Sequence, residues 1–63
     1  MAQLVTTPNI DAPDEFYADL IRSHDGLSDD ESAAFNARLI LLLANHIGDR
    51  AILAEALRAA ADT

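Results

Sequence analysis

His24 and His46 are the side chains of this sequence that can exchange a proton near neutral pH, and eleven Asp and Glu side chains supply its carboxylates. His46 and Asp49, three residues apart, could offer two ligands to a metal ion, but a site needs three or four. In the last turn of a helix, a histidine among apolar neighbours also has a plain packing role, favoured by the negative helix end. His24 stands in the equivalent place one helix earlier, so a pH-sensitive contact would follow if the two rings met. A paired-carboxylate acid/base site needs a cleft that raises one pKa, and a chain of 63 residues rarely builds one. The acidic stretch lacks the D-x-D-x-D-G spacing and distal Glu of a calcium loop. With no Cys there is no thiol nucleophile, disulfide or cysteine-based zinc site. No catalytic residue, metal or cofactor is expected, and the chain reads as a non-enzyme.

The carboxylates are unevenly placed. Residues 11–31 hold Asp11, Asp14, Glu15, Asp19, Asp25, Asp29, Asp30 and Glu31 against Arg22 alone, which accounts for the whole net charge of −7. Downstream, Asp49, Glu55 and Asp62 balance Arg38, Arg50 and Arg58. Part of the acidic excess is helix capping; the rest could dock a basic partner, because complementary charge raises association rate and specificity. With no Lys, four scattered Arg and a pI near 4.3, phosphate-backbone binding is excluded. The longest apolar run, Leu39 to Ala44, is six residues, against the ~18 that a membrane span needs. No basic n-region or apolar h-region opens the chain, so a cytoplasmic address is expected.

These residues must be positioned by helices. The spacing predicts an all-α fold, a small three-helix bundle, with helices at about 12–24, 29–47 and 50–61 behind an irregular arm at 1–10. Asp11 can cap the first helix, Pro13 suits its first turn and Gly26 stops it. Its apolar residues Phe16, Tyr17, Leu20 and Ile21 fall with His24 in one arc about 140° wide. Ser28-Asp29-Asp30-Glu31 is a capping box, with Leu27 before it as a candidate staple. Gly48 ends the second helix and Asp49 caps the third, so these two helices should form a hairpin. The third helix carries Ile52, Leu53, Ala56, Leu57 and Ala60 on one stripe, with Glu55 and Arg58 on its wet side.

The second helix is apolar around roughly 280° of its circumference, where a surface helix needs about 100°. Phe35, Leu39, Leu42 and His46 occupy one sector, and Ala33, Ala37, Ile40, Ala44 and Ile47 another. Leu43 lies between the sectors and Leu41 beyond the second. The arc is either covered within one chain or partly turned to a second chain. For the second case the candidate interface residues are Ala33, Ala37, Arg38, Ile40, Leu41, Ala44 and Ile47. The alanines permit close helix approach, and Arg38 offers a planar fork to a carboxylate at the rim. Asn36, between the sectors, should hydrogen-bond a neighbouring helix or the partner, since an unsatisfied amide would cost ~1–3 kcal/mol.

Size points the same way. Surface scaling predicts about 4,000 Å² for the folded chain and roughly 5,900 Å² buried on folding. If about 60% of that is apolar, burial contributes on the order of 90 kcal/mol, against about 95 kcal/mol for ordering the chain. Without disulfides or metal ligands to add stability, association is the natural supplement.

Glu15-Phe16-Tyr17, the Gly26-Leu27-Ser28 stop-and-start and the run from Asn36 through Ala37, Arg38, Leu39 and Ile40 to Gly48 and Asp49 resemble a short bacterial family, domain of unknown function 2783. The likeness covers about residues 8–60 and is most specific from Asn36 to Asp49. The family name implies no activity. The resemblance implies a setting beside flavin-dependent aromatic-ring monooxygenases in catabolic gene clusters. The expected function is a non-catalytic helical protein–protein interaction module, as an accessory subunit of such an oxidoreductase; the alternative is a self-contained homodimer without an enzyme partner. The expected partners are therefore its own copy or a larger protein, with no nucleic acid and no membrane.

Overall fold

The computed structural model describes residues 3–62. Among these, three helices follow one another with no strand: α1 (Pro13–His24), α2 (Asp29–Ile47) and α3 (Arg50–Ala61). The fold is all-α, as the spacing predicts.

The helix ends are set by local hydrogen bonds. At α2 the capping box is complete: Ser28 Oγ accepts from the Glu31 N–H at 3.2 Å, and Glu31 Oε1 accepts from the Ser28 N–H at 2.9 Å. These bonds hold the Glu31 carboxyl below its usual range, the backbone N–H of Ser28 having the larger effect and its hydroxyl the smaller. Asp49 caps α3, its Oδ1 accepting from Ala51 N–H at 2.9 Å and Ile52 N–H at 3.1 Å. Gly26 and Gly48 adopt φ of 77° and 72°, the left-handed conformation that ends a helix at least cost when no Cβ is present. At Gly48 the N–H then reaches the Ala44 carbonyl at 2.9 Å.

The start of α1 departs from expectation. Asp11 does not cap it; Ala12 holds the N-cap position with φ 50° and ψ 62°, and no side chain accepts a cap bond there. Pro13 disfavours the right-handed helical region for the residue before it, so Ala12 stays outside the helix. Glu55 differs as well: it is half-buried, because the N-terminal arm crosses α3 and the Leu4 N–H donates to Glu55 Oε2 at 3.3 Å.

Between these well-formed helices the packing is open. No two helices lie side by side over any length, and no described residue is buried. The radius of gyration is 13.5 Å, against about 11 Å for a compact domain of this length. The accessible surface of 5661 Å² exceeds the scaling expectation by roughly 1,700 Å².

Candidate interaction surface

The joint between α1 and α2 is the best-defined polar contact between helices. His24, at the end of α1, packs edge-on against Phe35 of α2 with ring centroids 4.8 Å apart. Its Nδ1 lies 2.8 Å from the Leu20 carbonyl and its Nε2 2.9 Å from Asn36 Oδ1. The Leu20 carbonyl can only accept, so Nδ1 donates to it, and when the ring is protonated Nε2 donates to the Asn36 amide oxygen as well. The His24 pKa is accordingly raised, most by the Leu20 carbonyl, then by Asn36, with a small opposing effect of burial. Asn36 thus finds its partner on a neighbouring helix. The two histidines do not meet: Asn36 and His46 are ten residues apart on α2, about 15 Å along its axis.

The contacts of α1 with α2 gather at the joint, where His24 meets Phe35 and Asn36 in the first half of α2. Phe35 and Leu39 are half-buried near the joint, while Leu42, on the same stripe, projects into solvent. Ile40, Leu41, Leu42 and Leu43 are 63%, 69%, 69% and 51% exposed. Successive residues point about 100° apart, so these four direct large aliphatic groups to every side of the helix. Leu57 of α3 is 73% exposed.

Of the residues expected at an interface, Ala33, Ala37, Arg38, Ile40, Leu41 and Ile47 are exposed and Ala44 is half-buried. They share α2 and lie on one continuous helix, although Arg38 stands away from the apolar stripe and makes no ion pair among the described residues. Leu42 and Leu43 belong to the same apolar surface and were not among them. The signal that could have found them is the breadth of the apolar arc itself, which includes both. In the acidic half, Arg22 is engaged by Asp19 one turn away, which leaves the other carboxylates of residues 11–31 without an ion pair among the described residues.

Two shallow, open concave features among the described residues lie beside Arg58, Ala59, Ala61 and Asp62 and along the arm from Val5 to Ile10 and Pro13. Neither places a nucleophile beside a base. No described group of three or more His, Asp or Glu side chains converges as a metal set would, and no described helix is long and apolar enough to cross a membrane.

This geometry defines a small all-α protein of three helices whose most developed feature is an exposed apolar helix. The chain belongs to the family described as Protein of unknown function (DUF2783), which it matches over residues 4–62. No curated protein and no solved structure matches it.

Proposed function

We propose that this chain is a non-catalytic helical interaction module whose core is completed by another polypeptide lying against α2. The observation that carries this reading is the full turn from Ile40 to Leu43, exposed on every side. Monomeric proteins rarely expose contiguous apolar surface beyond a few hundred Å², and larger patches mark binding surfaces. The excess of roughly 1,700 Å² over a compact chain supports the same reading. The chain's chemistry adds weight: its carboxylates cap helices, pair with Arg22, tie the N-terminal arm to α3 or face solvent, and its best-placed histidine holds two helices together.

The test is dye binding and thermal unfolding of the purified chain. A protein whose α2 is covered in its native assembly melts cooperatively only in that assembly, and the separated chain binds an apolar dye. A monomer that melts cooperatively and excludes the dye refutes the reading.

A second reading, favoured by the uncompensated charge of residues 11–31, makes the partner a larger protein with a basic surface, such as a bacterial oxidoreductase of flavin-dependent aromatic catabolism. Binding of that kind weakens steeply as salt is added, because screening acts on exposed charge.

A further inference from the structure

We infer that the polypeptide covering α2 is a second copy of this chain, with the two α2 helices packed antiparallel; this rests on the interaction-module reading above. Two separate chains expose twice 5661 Å², whereas a compact protein of twice the mass exposes about 6,600 Å². A compact pair would therefore bury about 4,700 Å² in total, within the 2,000–5,000 Å² range of obligate homodimers. The corners between the chain's own helices are already satisfied. His24 and Asn36 close the corner between α1 and α2, and Gly48 and Asp49 complete the corner between α2 and α3.

Charge agrees with self-pairing. The acidic excess ends at Glu31, and between Ala33 and Ile47 the single fully charged side chain is Arg38, on the far side of the helix from Ile40. Two copies can therefore meet along this stretch without bringing their acidic halves together. Ala33, Ala37, Ile40, Ala44 and Ile47 recur at alternating spacings of four and three, the seam of a helix pair, with alanines allowing close approach. An antiparallel arrangement sets Asp29, Asp30 and Glu31 of one copy near the C-terminal turn of the other, so that unlike helix ends meet.

The experiment is light scattering of the full chain across a dilution series, with helicity and apolar-dye fluorescence read on the same samples. The expected mass is about 13.6 kDa, twice the 6.8 kDa of one chain, with the dye dark. Ile40→Asp should return the mass of one chain and light the dye. Ala37→Leu keeps an apolar helix-forming residue at a position open in the single chain, so helicity should persist while overpacking weakens association at least about tenfold. A wild-type mass of 6.8 kDa throughout overturns the second copy. If that monomer binds dye and melts without cooperativity, the interaction-module reading stands with a foreign partner; if it excludes dye and melts cooperatively, both fall. A dimer unaltered by either substitution overturns the α2 contact.

Discussion

Truncating Leu41 to Ala distinguishes a leucine that faces water from one covered by another chain. In the single chain Leu41 is 69% exposed, so roughly a third of its surface is covered. Its removal there forfeits about a third of the ~2 kcal/mol that full burial of a leucine contributes, or about 0.6 kcal/mol. A leucine lost from a completed core costs about 2.7–5 kcal/mol, the transfer and cavity contributions together. At ~2.1 cal/mol/K per residue the unfolding entropy of this chain is about 130 cal/mol/K. The two cases therefore lower the melting temperature by about 5 °C and by more than about 20 °C. Alanine is the better helix former, so propensity cannot produce the larger shift. The assay is far-ultraviolet circular dichroism during heating, with wild type and variant at one protein concentration, because association makes Tm concentration-dependent. The larger shift is expected. A shift of about 5 °C or less would refute the coverage of Leu41 by a second polypeptide.

Ser28→Ala removes the acceptor of the Glu31 N–H at the head of α2 and should cost about 1 kcal/mol, a fall of roughly 8 °C in the same melt. Gly48→Ala meets only the Asn45 carbonyl at 3.7 Å, an ordinary contact, so its expected loss of about 1 kcal/mol comes from the left-handed backbone; Gly48→Asn, which tolerates that conformation, should lose less. The raised His24 pKa means that the native state holds the proton more tightly than the unfolded chain. Its contribution is complete below the ordinary value of 6.5 and is lost as pH rises through the higher native value, so the melting temperature should decline across that window. His24→Gln should remove that component, and a pH profile identical to wild type would show that the joint does not depend on the imidazolium.

What could be read from the sequence alone lies within four residues of its cause. Ser28 with Glu31, Asp49 with the start of α3, and Gly26 and Gly48 at helix ends act through bonds to adjacent turns, and composition alone sets the concentration of charge in residues 11–31. The excess apolar arc of α2 is equally legible, since helical period converts residue order into direction. Proline's bias against a helical conformation at the preceding residue is legible too, but the left-handed turn of Ala12, which leaves Asp11 without a capping role, is not. Tertiary structure alone decided the pairing of His24 with Asn36, twelve residues on, and of Leu4 with Glu55, fifty-one residues on. It also decided which part of the α2 arc stays open. Those outcomes depend on the angles at two corners: a small rotation at Asp25–Gly26 or Gly48–Asp49 sweeps the far end of a helix through many ångströms. Local propensity is nearly blind to such angles, and so the sequence marks α2 as too apolar for its neighbours while only the fold shows that Ile40 to Leu43 are the turn left uncovered.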